Sequence, residues 1–150
     1  MKAVLQRVTH ASVEVQGKKV GEIKNGFLVL LGVLEGDTKK EVDVLSRKVF
    51  GMRVFEDDGG KMNLSLSDTE GSVLVVSQFT LLADCKKGNR PSFINAAKPD
   101  IAKELYEYFC DKMCEYGVKN VERGVFGADM KVCLLNDGPV TIILDTNELM

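Results

Sequence analysis

The sequence predicts an α+β fold, in which an antiparallel or mixed β-sheet curls toward a barrel and two main helices pack on it. Two patterns support this prediction: about six to eight strand-like segments, mostly linked by hairpin-type turns, and two longer segments with apolar residues at helical spacing. A chain of 150 residues is long enough to bury one core. It contains no internal repeat and no Pro- or Ser-rich linker, so we expect residues 1–150 to form a single domain.

The first strands are predicted from alternation and from one turn signal. Apolar and polar residues alternate over residues 11–15, as in a strand with one buried face. The dipeptide Asn25-Gly26 before the apolar run 27–34 predicts an antiparallel hairpin with a type I′ turn, because both residue types tolerate positive φ. The run 27–34 is apolar on both faces, so we expect a central strand that is covered on each side.

Both helices are predicted from their first residues and from their apolar spacing. Thr38 followed by Glu41 resembles a capping box, and apolar residues then recur at helical spacing to about Met52. Pro99 suits the first turn of the second helix, which we expect to end at Gly117. The apolar stripe of this helix consists of Ile101, Leu105, Phe109 and Met113.

Further strands are expected after the first helix. They cover residues 62–66, 73–79, 130–135 and 140–144. The last two are joined by Asn136-Asp137-Gly138-Pro139. Proline fixes φ at a negative value, so this connection cannot be a type I′ turn. We therefore expect a different turn between two separate strands.

Composition and motifs exclude several classes of protein. With 45% hydrophobic and 28% charged residues, the chain resembles a globular protein and not a disordered one. No apolar run is long enough to cross a membrane and no signal peptide is recognisable, so we expect a cytoplasmic protein with no membrane partner. A single histidine, His10, argues against histidine-centred mechanisms and zinc sites. The four cysteines form no CxxC pair, and we expect buried structural thiols. No cofactor or metal motif is present, so we expect neither group.

The charge is unevenly distributed along the chain. A net charge of −2 argues against a nucleic-acid partner on average, because Lys and Arg supply most non-specific affinity for phosphate. Residues 84–103, however, hold five Lys and Arg against two Asp. The positive residues of this basic stretch are Lys86, Lys87, Arg90, Lys98 and Lys103. The stretch is either a solvated loop or a contact surface for an anionic partner.

Three polar clusters are candidates for function. The first, Ser77-Gln78-Phe79-Thr80, ends an apolar strand, where functional groups are common but where polar residues also simply satisfy the strand end. The second, Gly88-Asn89-Arg90-Pro91-Ser92-Phe93, places an arginine beside rigid turn residues, which suits capture of phosphate or carboxylate and equally suits a plain turn. The third is Gly138-Pro139, and the sequence does not decide whether its peptide bond is cis or trans.

Taken together, these clusters resemble one family, the D-aminoacyl-tRNA deacylases, first described as D-tyrosyl-tRNA deacylases. The opening Met-Lys-Ala-Val-Leu-Gln-Arg-Val, the box 77–81, the segment 88–93 and the box 136–141 all match in order and spacing. The resemblance covers the chain from end to end. It implies a homodimer that uses no cofactor and hydrolyses the ester between a D-amino acid and the 3′-terminal adenosine of tRNA. It also implies activity on glycine mischarged to tRNA.

The resemblance further implies roles for individual residues. Gly138 and Pro139, joined by a cis peptide bond, would form a chirality filter that reaches into the active site of the other subunit and rejects L-aminoacyl-tRNA. Arg7 would support the Gly-Pro loop, with an ordinary surface arginine as the alternative. Phe126 and Met130 would pack against the terminal adenine, with core packing as the alternative.

Catalysis at the first box has two interpretations. In one, Thr80 is a nucleophile, which needs an adjacent general base. In the other, backbone N–H groups around Gln78 and Phe79 form an oxyanion hole, and the 2′-hydroxyl of the terminal adenosine helps to activate water. We favour the second, because the only histidine lies in the N-terminal region.

The basic stretch and two rival interpretations complete the expectations. Lys86, Lys87 and Arg90 are the candidates for contact with the tRNA acceptor end. A non-catalytic dimeric binding module would show the same core and hairpins. A thiol-dependent redox protein would rely on Cys85, which precedes two lysines that would lower its pKa.

Overall fold

The computed structural model describes all 150 residues as a mixed β-sheet that nearly closes into a barrel, with helices packed against it. The strands are β1 (Lys2–Val15), β2 (Lys18–Ile23), β3 (Gly26–Gly32), β4 (Phe55–Glu56), β5 (Met62–Leu64), β6 (Ser72–Ser77), β7 (Val121–Arg123) and β8 (Lys131–Asp145). The helices are α1 (Lys39–Phe50), α2 (Leu66–Thr69), α3 (Pro99–Glu115) and α4 (Thr146–Leu149), and a 3₁₀ turn covers Phe79–Leu82. The predicted α+β fold with two main helices is confirmed, and two short helices are added to it.

The sheet is organised around the long strand β1. Strands β2, β3 and β8 pair with β1 in antiparallel orientation, and β3–β6 and β6–β7 are parallel pairs. A Cβ on Gly21 of β2 would lie 2.8 Å from the carbonyl oxygen of Arg123 on β7. Glycine therefore lets the two ends of the sheet approach each other closely, which is why the sheet curls almost into a barrel.

The core lies on both faces of β3. Phe27, Val29 and Leu31 point into the main cluster under α1 and α3, and Leu28 points into a second cluster inside the curl. All four side chains are at most 1% exposed. The predicted central strand is confirmed, because a strand covered on each face needs apolar residues at successive positions.

Both main helices begin as predicted. The hydroxyl of Thr38 accepts a hydrogen bond from the Lys40 N–H at 3.2 Å, and the Glu41 carboxylate accepts one from the Thr38 N–H at 2.7 Å. This reciprocal pairing satisfies donors that the first turn of α1 would otherwise leave unpaired. Helix α3 has Pro99 in its first turn, and the chain leaves it at Gly117, whose φ is +97°.

The predicted hairpin at Asn25-Gly26 is wrong. Strands β2 and β3 do not pair with each other, because both pair with β1. The tight hairpin instead joins β1 to β2 through Gln16 and Gly17, whose φ angles of 50° and 75° fit a type I′ turn. Gly26 is required for another reason, because a Cβ there would lie 1.8 Å from the Ser72 carbonyl oxygen.

The C-terminal segment is one strand and not two. In β8, Asn136 pairs opposite Val8 and Thr141 pairs opposite Gln6, so both halves of β8 continue along β1. The extra residues, 137–140, leave the ladder as a loop opposite Arg7, and the Gly138–Pro139 bond within them is cis. We call residues 137–140 the Gly-Pro loop. Pro139 has no N–H to give to a ladder, so it belongs in this interruption of the pairing.

Two other expectations need correction. The strand predicted over 62–66 ends at Leu64, because Ser65 and Asp68 form a second capping box that begins α2. Of the four cysteines, only Cys110 is buried, whereas the other three are exposed and all four are free thiols. None of the helices is long and apolar enough to cross a membrane. No group of three or more His, Cys, Asp or Glu side chains is arranged to hold a metal ion.

Candidate active site

A cavity of about 650 Å³ lies at the C-terminal end of β6. Its walls come from the end of β6, from the segment that leads into α3, and from the connection between β7 and β8. Of the residues predicted to be functional, Ser77, Gln78, Phe79, Phe126 and Met130 line it. A mostly apolar cavity of this volume with a few polar groups is typical of a small-molecule site.

The backbone at the end of β6 provides two unpaired donors. The Gln78 N–H donates to the Leu31 carbonyl oxygen at 2.8 Å, so it continues the ladder and is not available to a ligand. The N–H groups of Phe79 and Thr80 have no backbone or side-chain acceptor. The unpaired N–H groups are thus those of Phe79 and Thr80, whereas the sequence placed the candidate donors around Gln78 and Phe79.

Thr80 has no general base next to it. Its hydroxyl is exposed and accepts a hydrogen bond from the Gln78 side-chain amide at 2.5 Å, and an amide does not take up a proton. The only histidine, His10, lies 3.3 Å from the Glu22 carboxylate on the β1–β2 hairpin and does not line the cavity. The arrangement offers backbone donors to a reacting group, and no activated side-chain nucleophile.

Aromatic contacts fix the cavity walls. The ring of Phe79 meets Phe93 edge-on at 5.0 Å, and the ring of Phe126 packs against Tyr106 at 6.0 Å. The Tyr106 hydroxyl donates to the Val75 carbonyl oxygen at 2.8 Å. Burial strongly raises the pKa of Tyr106, so the phenol stays protonated and remains a donor.

Tyr106 and Gly124 each lie against a residue that lines the cavity, and the sequence reasoning missed both. Tyr106 follows Leu105 in the apolar stripe of α3, so a wider stripe would have included it. A Cβ on Gly124 would lie 2.6 Å from the sulfur of Met130, so glycine there leaves room for the Met130 side chain as it is placed. No turn or motif in the sequence signals Gly124.

The Gly-Pro loop is tied to the body of the protein by Arg7, whose side chain is only 7% exposed. Its Nε donates to the Asp137 carbonyl oxygen at 3.0 Å and its Nη1 donates to the Val54 carbonyl oxygen at 2.6 Å. The carboxylates of Asp137 and Glu56 lie 3.3 and 3.6 Å from the guanidinium. Arg7 therefore contacts the loop directly and is not an ordinary surface arginine.

The Gly-Pro loop and the cavity lie at separate places in the folded protein. Neither Gly138 nor Pro139 lines the cavity, and neither do Thr80 and Arg7. The loop sits on β8 at the level of Val73, whereas Ser77 lies four residues further along β6, with β1 and β3 between. At ~3.3 Å per residue and ~4.8 Å per strand, the separation along the sheet is about 20 Å.

The candidate contacts for tRNA lie in one exposed loop. Asp84 and Ser92 exchange backbone hydrogen bonds of 2.8 and 2.9 Å, which closes residues 85–91 into a loop. Lys86, Lys87 and Arg90 lie in this loop, are exposed and form no ion pair. Phe93 follows directly and lines the cavity. The loop therefore carries three unpaired positive charges and leads directly into a residue of the cavity wall.

Comparisons with known proteins show which proteins this chain is similar to. A protein of Geotalea daltonii (strain DSM 22248 / JCM 15807 / FRC-32), named D-aminoacyl-tRNA deacylase, is 59% identical over 146 residues, which are 97% of each chain. A solved structure titled "c-Myc DNA Unwinding Element Binding Protein" is 44% identical, with a TM-score of 0.92 over 97% of this chain and 98% of that one. Another, titled as a probable eukaryotic D-amino acid tRNA deacylase, shares the fold with a TM-score of 0.82 at 19% identity, over 95% and 97%.

These relatives define the class first: the chain is a hydrolase that acts on ester bonds. The model of the family described as D-Tyr-tRNA(Tyr) deacylase matches residues 4–145. The chain belongs to the D-Tyr-tRNA(Tyr) deacylase family. The resemblance carried by the sequence boxes is thereby confirmed.

Proposed function

We propose that this chain, as one domain over residues 1–150, hydrolyses the ester of D-aminoacyl-tRNA to free D-amino acid and tRNA, and also removes glycine mischarged to tRNA. The observation that carries the proposal is the cavity at the end of β6, whose wall places the unpaired backbone N–H of Phe79 beside an apolar surface with Phe126. Its volume of about 650 Å³ suits a terminal adenosine with its aminoacyl group. No cofactor is needed for this reaction.

The hydrolysis uses the backbone and the substrate. Water attacks the ester carbonyl carbon, the C–O bond to the 3′-oxygen breaks, and that oxygen leaves with a proton. The free N–H groups of Phe79 and Thr80 stabilise the negative oxygen of the tetrahedral intermediate, and Ser77 and Gln78 shape the strand end. One such donor contributes about 10² to 10³ in rate. The 2′-hydroxyl of the adenosine helps to activate the water, because no side-chain base adjoins Thr80.

Thr80→Ala separates the two mechanisms. The variant retains the backbone N–H, so we expect deacylation within about threefold of the unmodified protein. The measurement is single-turnover release of D-tyrosine from D-tyrosyl-tRNA. A loss of activity by several orders of magnitude, or an isolable acyl-threonine, would instead establish the nucleophile mechanism.

Phe126 and Met130 form the surface for the terminal adenine. Both line the cavity, and Phe126 is held in place by Tyr106. Base stacking on an aromatic ring contributes about 1–3 kcal/mol, so Phe126→Ala should raise KM for D-tyrosyl-tRNA by roughly 5- to 150-fold. An unchanged KM would assign Phe126 to core packing alone.

We also propose a homodimer in which the Gly-Pro loop of one subunit enters the cavity of the other. Two features support it: the loop does not line its own cavity, and β8 has a free edge with Leu135 and Ile143 63% and 73% exposed. A long exposed edge strand with apolar residues is normally covered by another chain. Backbone groups of Gly138 and Pro139 would hold the α-ammonium of the substrate and leave room for the Cβ of a D residue only. Glycine has no Cβ and is accepted.

Mixed dimers test the exchange of loops between subunits. One subunit carries Pro139→Ala in the loop, and the other carries Ala102→Phe, which adds a large side chain at a residue that lines the cavity. If the loop acts in the partner, one of the two sites of the mixed dimer combines an unmodified cavity with an unmodified loop. Mixing then restores about half of the discriminating activity. If the loop acts within its own chain, no mixed site is intact and mixing restores nothing. Sedimentation measures the dimer independently.

The basic loop is proposed to contact the acceptor end of tRNA. Lys86→Glu, Lys87→Glu and Arg90→Glu should each raise KM and flatten its dependence on salt, because a phosphate contact releases counterions. The matched control is Lys24→Glu, which reverses an exposed lysine of the β2–β3 connection. Equal effects of all four changes would remove the loop from the site.

The decisive experiment compares matched D- and L-tyrosyl-tRNA. We expect rapid release of D-tyrosine, slow release of L-tyrosine and measurable release of glycine from glycyl-tRNA. Equal rates on the D and L substrates would refute the chirality filter, and binding without release would indicate a binding module. Alkylation of the exposed Cys85 should leave deacylation intact, whereas a thiol-dependent redox protein would lose its activity.

A further inference from the structure

The Asn136 side chain closes both ends of the Gly-Pro loop. Its Nδ2 donates to the carbonyl oxygen of Arg7 at 3.0 Å and to that of Val140 at 3.1 Å. A side-chain amide has two N–H donors, and here both are used. One bond connects β8 to β1. The other connects Asn136, which precedes the loop, to Val140, the last residue of the loop.

The same amide also lies against the backbone of the loop. A Cβ on Gly138 would be only 2.6 Å from Oδ1 of Asn136 and 3.2 Å from its Cγ. Glycine therefore fits at position 138, where the Asn136 side chain occupies the space that a Cβ would need. Any displacement of the amide changes what Gly138 packs against.

This bracing matters because the ladder gives the loop no support. Backbone pairing with β1 stops at Val8 and Asn136 and resumes at Gln6 and Thr141. Between these pairs, the loop is held by Arg7 through the Asp137 carbonyl and by Asn136 at its two ends. Arg7 donates to only one carbonyl group of the loop, that of Asp137, so it cannot fix the orientation of the other peptide groups by itself.

We propose that Asn136 is a positioning residue that sets the shape of the Gly-Pro loop and thereby the discrimination between D- and L-aminoacyl esters. The inference rests on the proposed function of Gly138 and Pro139. A filter made of backbone separates the two enantiomers by the room for one Cβ, so a shift of about 1 Å is enough to blur it. Asn136 controls that room without touching the reacting atoms.

Asn136→Asp is the direct test. The substitution keeps the size of the side chain but replaces the NH2 group, which donates both bonds, by one carboxylate oxygen that faces two carbonyl oxygens. We expect the ratio of kcat/KM for D- over L-tyrosyl-tRNA to fall by roughly tenfold or more, in keeping with the loss of two hydrogen bonds. The matched control, Asn120→Asp, makes the same change at an exposed residue near the opposite end of β6 and should leave the ratio within about twofold.

The ratio separates positioning from simple loss of structure. Partial unfolding lowers the rates on both substrates together and leaves their ratio unchanged. An unchanged ratio in folded Asn136→Asp therefore refutes the inference, while the D over L preference of the unmodified protein stands. If the unmodified protein shows no preference, the proposed function fails first.

Hydrogen exchange keeps the inference testable whatever the activity. In Asn136→Asp, the amides of residues 137, 138, 140 and 141 should exchange faster while those of β3 stay protected. If Asn136→Asp does not fold, Asn136→Ser removes the amide without adding charge and is measured in the same way. Unaltered exchange at 137–141 in the folded variant would show that the amide does not brace the loop.

Discussion

Replacing Arg7 by methionine tests how the Gly-Pro loop is held to the body of the protein. Methionine keeps an unbranched apolar stem and removes every donor. The variant leaves the carbonyl oxygens of Val54 and Asp137 without the guanidinium donors at 2.6 and 3.0 Å. It also removes the charge that faces two carboxylates at 3.3 and 3.6 Å.

The expected loss of stability follows from these contacts. A hydrogen bond to a charged group contributes about 1.5–3 kcal/mol. The carboxylates of Asp137 and Glu56 are 50% and 60% exposed, so each ion pair adds less than about 1 kcal/mol. The free energy of unfolding should therefore fall by about 3–5 kcal/mol in Arg7→Met. Arg7→Lys keeps the charge and one donor direction, so about half of that loss is expected.

Urea unfolding at one fixed protein concentration measures both variants, because the stability of the proposed dimer would depend on concentration. Arg7→Met should in addition reduce the preference for D over L substrate, since it releases Asp137 beside Gly138. A loss below about 1 kcal/mol in Arg7→Met would show that the guanidinium does not support the loop. An equal loss in Arg7→Lys and Arg7→Met would show that the planar group is not used.

Three further predictions concern the body of the protein. Tyr106→Phe removes the bond to the Val75 carbonyl and should lower the free energy of unfolding by about 1 kcal/mol in urea; an unchanged midpoint would contradict it. Burial raises the pKa of Cys110 to about 12, so mass spectrometry after alkylation at pH 8 should find the other three thiols modified and Cys110 unmodified. Thr38→Ala should cost about 1 kcal/mol, a loss that calorimetry would detect. A hydrogen bond from the Thr38 hydroxyl is the largest cause that lowers the pKa of Glu41. The Glu41 carboxylate therefore stabilises α1 fully above its usual pKa of 4.5, and this contribution is lost as the pH falls through the lowered pKa. A Thr38→Ala effect that is independent of pH down to about 3 would contradict the capping box.

The sequence predicted local features of the fold well and strand partners poorly. The capping box at Thr38 and the start of α3 at Pro99 depend on a few neighbouring residues, and both are confirmed. The hairpin at Asn25-Gly26 failed because β2 and β3 both find a better partner in β1, which no local window shows. The expected turn around Pro139 failed for the same reason, since β1 is long enough to pair with both halves of β8.

The candidate site shows the same division. The boxes at 77–80 and 138–139 were visible as sequence motifs, because polar residues and a proline interrupt apolar strands. The use of the Gln78 N–H in the ladder was not visible, since its acceptor, Leu31, lies on another strand. Tyr106 was missed because its role depends on a carbonyl group of β6.

The single histidine links the composition to the chemistry of the site. The His10 ring lies beside the Glu22 carboxylate on a hairpin outside the cavity. The hydroxyl of Thr80 accepts a hydrogen bond from the Gln78 side-chain amide. The cavity wall therefore carries the unpaired Phe79 N–H beside apolar side chains, and the Thr80 N–H follows it in the chain. Under the proposed function, the proton transfers fall to water and to the ribose. A substrate analogue with a 2′-deoxy terminal adenosine should consequently lose most of its deacylation rate while binding with a similar KM. Hydrolysis of the 2′-deoxy substrate at the full rate would mean that a protein group activates the water after all.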